Sequence, residues 1–508
     1  MFLLFMLAQM TSGQVAETET RERDSKSLFP SELKLTGDYA TGLFFGFLQP
    51  EELSPAPTQT PTPPNENVEN VEPSPLPGTS ESPAPLPIPN NAEPELPEPA
   101  TQIGTGEQGV PEVEVNLKQK NKLIKFVFGV QVRGGFDDNI FIQSHNRQSD
   151  FVFTLSPTMA IGWGEVREEI RRLAGDVFGR GQVGEGIRRF SGDRSAVYWE
   201  PEEEVRNFLF LQYTPTLTLF AEHGSQNALD HYLSLQGQLK LAYLTLGNVT
   251  TFQTLSGPDV DLGRRVNRSI FSERIDAAYD YSDRTFFAVN LLGTFSSYEV
   301  GFNSNEFVNE DSINYRYGAR TLFSLATRFG YLQVQDNPDQ VYEQFLLGTR
   351  YLVSDKFTVN GNAGIEFRQV QSGGQDTTNP VFQLSADYKP FDQTLISLKA
   401  SRLTTNSESS AGQNITYSSI GLAFEQRFFK RYYLNLYAGY VNADYSADLS
   451  GNNARRTDDI ISVSPSVRVE LTKNSSLQIG YELWRDSSTV ADRSFTVNRV
   501  FTQFGLLF

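Results

Sequence analysis

Cysteine is absent from the 508 residues, which excludes disulfides, thiolate metal sites, thiol nucleophiles and a lipid-modified cysteine anchor. No run of about 18 apolar residues occurs either, so a transmembrane helix is excluded. Histidine is scarce, at three residues. Mean hydropathy is negative, at −0.37, yet aromatic residues reach 12%, with 38 Phe and 21 Tyr. A chain that is polar on average and rich in aromatics fits strands that turn one apolar side to lipid and one polar side to water.

Positive charge is missing from one end of the chain. The net charge is −18, but residues 1–117 hold 4 basic and 18 acidic residues against 39 and 43 in residues 118–508. The acidity therefore belongs to an N-terminal arm, and it argues against a nucleic-acid partner. Phe2 to Ala8 is apolar and runs into Thr11-Ser12-Gly13-Gln14, a pattern resembling a secretory signal without its basic start, expected at 1–16. Residues 17–117 are expected to form a disordered, acidic arm. Its stretch 54–99 carries 15 of the 26 prolines and no Lys or Arg, so it cannot bury a core; extended as polyproline it reaches on the order of 140 Å.

From Lys122 the pattern changes to period-two alternation in segments of roughly 10–14 residues. Residues 357–367 place Phe357, Val359, Ala363, Ile365 and Phe367 opposite Thr358, Asn360, Asn362 and Glu366, and residues 461–471 place Ile461, Val463, Val467 and Leu471 opposite Ser462, Ser464, Arg468 and Glu470. Eighteen such segments run from 122–134 to 496–508, including 312–324 and 327–335. Short links alternate with longer loops such as 299–311, 405–414 and 446–457. The expected fold is all-β, a transmembrane antiparallel barrel of about 18 strands (16–18) over 118–508, with both termini in the periplasm. No repeat of 40–50 residues is visible, which argues against a propeller or solenoid.

The pattern breaks at 164–206, an insert expected on the periplasmic side. Within it Val166, Ile170, Leu173, Ala174 and Val177 share a helical stripe. Such a helix can plug the lumen mouth, though one that caps a turn from the surface is the commoner case. Charged residues expected to face the lumen are Lys240, Arg320, Arg350, Glu366, Arg368, Arg402, Arg468 and Glu470, with Glu482; their mixed signs favour a weakly selective pore over an arginine ladder. His145, His223 and His231 are expected in outer loops or at a strand's outer end. They invite comparison with a rim hydrolase, but no Ser-His-Asp set is identifiable, and the chain reads as a non-enzyme needing no cofactor or metal.

The last strand ends in Phe508, with Leu506, Phe504, Thr502 and Val500 on the same face. This resembles the C-terminal signal read by the barrel-assembly machinery, an expected partner beside outer-membrane lipid. The phrases Phe136-Asp137-Asp138-Asn139-Ile140-Phe141, Ser149-Asp150-Phe151 and Leu155-Ser156-Pro157, then Tyr213-Thr214-Pro215, Leu229-Asp230-His231 and Tyr281-Ser282-Asp283, resemble the putative β-barrel porin 2 family over roughly 118–508. That family includes outer-membrane proteins of exopolysaccharide biosynthesis loci. The resemblance implies an outer-membrane channel that helps a surface polysaccharide cross, with periplasmic export components as partners; the acidic arm and the insert depart from the pattern. A plugged barrel that tethers the envelope through its arm is the alternative. Asp137, Asp138 and Asn139 suit a turn, whose backbone their side chains bond, better than a calcium site.

Overall fold

The computed structural model describes residues 124–179, 206–371, 376–409, 413–446, 456–490 and 492–508. The expected signal and arm, and the insert from 180 to 205, lie outside the described residues. Eighteen strands follow one another: β1 (Ile124–Asp137), β2 (Asp150–Gly164), β3 (Phe208–Phe220), β4 (Ala228–Lys240), β5 (Leu244–Asp259), β6 (Arg264–Asp280), β7 (Thr285–Tyr298), β8 (Ser304–Gly318) and β9 (Thr321–Val334). The second half is β10 (Gln340–Ser354), β11 (Phe357–Val370), β12 (Thr377–Tyr388), β13 (Thr394–Asn406), β14 (Asn414–Phe428), β15 (Tyr432–Tyr445), β16 (Thr457–Thr472), β17 (Ser475–Ser488) and β18 (Phe495–Leu507). Among the described residues one α-helix, α1 (Arg167–Val177), interrupts the series, and a single 3-10 turn, Gly224–Gln226, lies between β3 and β4.

Every strand pairs antiparallel with its neighbours in sequence, and β1 pairs with β18 from Gly129↔Leu507 to Asp137↔Arg499, which closes the ring. Phe508 extends the seam: its N–H donates to the Phe128 carbonyl at 2.7 Å. Closure leaves no strand edge, the condition for placing β-structure in hydrocarbon. The outward face then carries what a soluble protein hides. Phe126, Phe128, Met159, Ile161, Leu209, Leu325, Phe345, Ile365, Leu384, Ile420, Val467 and Ile479 are all exposed. An aromatic row, Tyr243, Tyr281, Tyr317, Phe391, Phe429 and Phe508, marks the rim that holds the chain end. The fold is a membrane-spanning barrel.

Turns on that terminal rim hold two to five residues, the insert aside, while those on the far rim hold four to twelve. One hairpin differs from expectation. The segments expected at 312–324 and 327–335 are Ser304–Gly318 and Thr321–Val334, and the expected loop 299–311 shrinks to a turn at 299–303. The cause is local: Asn309 and Asp311 stand on the outward face of β8, where apolar residues are the rule, so the sequence reads there as a loop.

Helix α1 lies inside the terminal mouth rather than on the surface. Val166, Ile170, Leu173, Ala174, Val177 and Phe178 are buried against the inward Val127, Ala160, Phe210 and Leu507. Glycines flatten the wall beneath it: a Cβ on Gly162 or Gly129 would stand 2.6 and 2.8 Å from the Val166 and Val177 methyls. The helix stops at Gly179, whose φ of +76° suits glycine. Gln131 donates to the Asp176 carbonyl at 2.9 Å, and Ser476 to that of Phe178 at 3.3 Å.

Candidate functional site

The lumen is lined by the inward half of each strand, and its two sides differ. Across β8 to β11 it is charged and locked. The Tyr342 hydroxyl donates to Glu306 at 3.0 Å; Arg328 Nε donates to Glu310 at 2.9 Å and its Nη1 to Gln344 at 3.0 Å; Gln344 donates on to Glu366 at 2.6 Å. Arg368 closes the chain. It donates to Glu366 at 2.9 Å, to Gln340 at 3.0 Å and to the Thr404 carbonyl at 3.1 Å, and stacks over Tyr342. Arg368 is 1% exposed and Glu366 0%. A cavity of about 50 Å³ opens between this network and the β12–β13 wall. A second group repeats the pattern: Arg468, 0% exposed, lies over Tyr433, 3.4 Å from Glu425 and 3.5 Å from Glu470. Glu482 binds Arg133 at 2.8 Å, and Arg499 binds Asp137 at 2.6 Å.

Across β2 to β5 the inward side chains are neutral at mid-strand, with the charged Asp150, Asp230, Lys240 and Asp259 standing toward the strand ends. Thr154, Ser156 and Thr158 face Thr214, Thr216 and Thr218, followed by Ser234, Gln236 and Gln238 and by Thr251 and Gln253. Hydroxyls pair across strands, Ser156 with Thr216 at 2.9 Å and Thr158 with Thr214 at 3.0 Å. Most of these side chains are half-buried, so this side meets open lumen. Composition alone does not single it out, because Ser, Thr and Gln at period two read as any strand's wet face.

The far mouth is crossed by the turn at 260–263. Asp261 accepts from Glu408 N–H at 2.7 Å, from Ser409 N–H at 3.1 Å, and from the Ser407 and Ser409 hydroxyls at 3.0 and 2.8 Å. Those residues follow β13, and β5 and β14 stand nine places apart in the ring, so this contact spans the lumen. Arg456 donates to the Asp261 and Val260 carbonyls at 3.0 Å each, and Arg493 to that of Asp261 at 3.0 Å. Burial works against the Arg456 charge, but Tyr445, Asp458 and Asp261 outweigh it and lift its pKa above the ordinary guanidinium value. Arg456 thus holds the turn as a permanent cation. Beneath it Ile142 and Val260 pack with the inward Tyr417, Val441, Ile460, Trp484, Phe495 and Val497.

Ile142 gets there through the Asp-Asp-Asn run. Asp137 accepts from Asn139 N–H at 2.9 Å, and Asp138 from Asn498 N–H and side-chain amide at 2.6 Å each. The Asn139 amide donates to the Gln143 and Thr496 carbonyls at 2.8 and 3.0 Å. The run is a turn that bends the first far loop inward. It leaves Ile142 at φ +50°, a region β-branched residues rarely occupy. Among the described residues no group of three or more His, Asp or Glu could hold a metal.

Of the charges expected in the lumen, Glu366, Arg368, Arg468 and Glu470 stand there as described. Arg350 lies on the inward side of β10, and Lys240 ends β4 beside Asp280 at 2.8 Å. Arg320 instead occupies the exposed turn between β8 and β9, 3.7 Å from Asp355. Arg402 is on the opposite face. Its register partners are Phe382 and Ser418, in the rows of Leu384, Ile420 and Leu422, and its guanidinium donates to Ser418 at 2.5 Å. Ser401 takes the inward place, paired with Ser419. The alternation of β13 is blurred by Ser397, Lys399 and Ser401 against Leu398 and Ala400, so charge was a poor guide to its face. Val500, Thr502 and Phe504 point outward.

His145 is exposed in the first far loop. Both ring nitrogens of His223 are engaged, Nδ1 with Asp150 and Nε2 with Gln148 at 2.8 Å each. Asp150 also accepts from the N–H groups of Ala221, Glu222 and His223, which makes the pair a loop staple. His231 lies on the outward face, its Nδ1 2.9 Å from the Tyr213 hydroxyl.

No protein-family model matches the chain, and no curated protein matches it in sequence. The resemblance to the porin 2 family therefore rests on its short phrases. Among solved structures, OccK11 (OpdR) of Pseudomonas aeruginosa is similar at 11% identity and a TM-score of 0.36, over 75% of this chain and 96% of its own. OpdO of the same organism aligns at 10% identity and 0.40, over 76% and 98%. The outer membrane protein opdK, also from Pseudomonas aeruginosa, aligns at 10% and 0.38, over 76% and 99%. At such TM-scores the likeness carries no argument, and the reading of the fold as a membrane-spanning barrel rests on the strand register and the exposed apolar belt.

Proposed function

We propose that the protein is a passive channel of a bacterial outer membrane, whose solutes are neutral and hydroxyl-rich, a surface polysaccharide chain in particular. The observation that carries this reading is the strip of Thr, Ser and Gln side chains along β2 to β5. It offers donors and acceptors to hydroxyl groups, while the charges along β8 to β11 are occupied with one another. The short turns support a periplasmic terminal mouth, which would place the N-terminal arm beside export components there. In this reading the turn at 260–263 forms the narrowest point.

Reconstitution of the full chain in planar bilayers tests it. Expected are single-channel steps with little preference between potassium and chloride, and block of the current by a neutral oligosaccharide. Thr216→Val with Gln253→Leu should weaken the block while leaving the steps. A barrel that stays impermeable, even after removal of the Asp261 bonds by Asp261→Ala, would overturn the reading.

A further inference from the structure

Single charges stand on the outward face at Glu343 of β10 and Arg402 of β13, but one sector of the outer wall gathers several polar groups together. At mid-strand the outward residues of β1 to β4 and β14 to β18 carry no charge. On β5 to β8 they include Asn248, Thr250, Glu273, Asn309 and Asp311, with Gly293 between them on β7. Register makes the patch continuous: Asn248 pairs with Ile275, Thr250 with Glu273, Glu273 with Gly293, and Leu291 with Asn309. It is not a rim feature. Tyr243, Tyr279, Phe287, Tyr315 and Tyr317 flank it on the terminal side, and the mutually packed Phe271, Phe295 and Phe307 on the far side. Hydrocarbon would meet both carboxylates at mid-depth, where a charge on the lipid face is costly.

We infer that this patch is the interface of a two-fold dimer within the membrane. The occupant follows from chemistry. The patch contains acceptors, the Glu273 and Asp311 carboxylates, and donors, the Asn248 and Asn309 amides; the Thr250 hydroxyl donates to the Asn248 side-chain oxygen at 3.3 Å and one Asn248 amide hydrogen goes to the Arg274 carbonyl at 3.4 Å, which leaves the second Asn248 hydrogen for a partner. The patch is self-complementary: about a two-fold axis each copy's amides can meet the other's carboxylates. The Asn309 amide already donates to Asp311 at 2.8 Å, which leaves its second hydrogen and the other carboxylate oxygen for a partner. A head-to-tail ring that pressed the patch onto β14 to β18 of the next copy, uncharged at mid-strand, would instead leave the Glu273 and Asp311 carboxylates without an amide partner. The absence of a side chain at Gly293 lets two walls approach closely.

The native absence of cysteine makes the test clean. Full-length chains carrying Asn309→Cys or Thr250→Cys, produced in a bacterial outer membrane, are treated with a short bis-maleimide. Leu434→Cys on the opposite wall serves as control. A homodimer band from Asn309→Cys and Thr250→Cys, absent from Leu434→Cys, is expected. Monomer alone, a crosslink to a different polypeptide, or equal yield from the control overturns the inference. A second variant joins Asn248→Leu, Glu273→Leu, Asn309→Leu and Asp311→Leu, with heat-modifiable migration reporting a folded barrel. Native mass spectrometry of the folded variant should show loss of the dimer, and a dimer that persists overturns the inference equally.

Discussion

The two inner walls of this barrel solve the same problem differently. Along β8 to β11, and again around Arg468, charges are buried and each is answered by another, so the wall is an electrostatic lattice with a fixed geometry. Along β2 to β5, hydroxyls and amides are half-buried and bond mostly to each other. Removing one member of a buried ion pair leaves its partner uncompensated in a poor dielectric, whereas a lost hydroxyl beside open lumen is replaced by water. One wall therefore holds shape, and the other is free to exchange partners with water in the lumen.

The sharpest way to break this contrast is Arg368→Ala. It strips Glu366 of its cation and should cost on the order of 3–5 kcal/mol, read as a lower urea midpoint for the folded barrel in lipid vesicles. Near-wild-type stability would show that the charged wall is not a lattice. Asp261→Ala is expected next: it removes the hydrogen bonds from four donors that span the far mouth, and the single-channel conductance should rise with more frequent openings. Thr216→Lys places one unanswered charge on the neutral wall and should move the reversal potential toward chloride, without a stability loss beyond about 1 kcal/mol. The smallest effect is expected from Thr216→Val, within about 0.5–1 kcal/mol in the same urea assay, with weaker saccharide block as its main signature.

Legibility in the sequence varied from strand to strand for a physical reason. In β11 and β16 the outward residues are Val, Ile, Phe and Leu and the inward ones polar, so both bounds and faces could be read. In β8 the outward Asn309 and Asp311 break the alternation, and the strand hid as a loop. In β13 a serine-rich inward face stands against small outward residues, and Arg402 was placed on the wrong side. The apolar stripe of α1 was visible, but not the inward Gly129 and Gly162 that receive it, because a glycine in a strand has no signature of what approaches it. Asp261 lies in a four-residue turn with nothing in its neighbours to mark it.

Alternation is a local property, since successive side chains point to opposite faces of any strand. The sequence by itself therefore determined that the chain would form many antiparallel strands with a lipid side and a water side, about eighteen in number, and that a helix would interrupt them near residue 170. Which inward residues face one another across the ring depends on closure and register, which bring together residues such as Asp261 and Ser407, 146 positions apart. Only the tertiary structure decided the turn that crosses the far mouth, the helix packed inside the terminal mouth, and the division of the lumen into a locked wall and an open one.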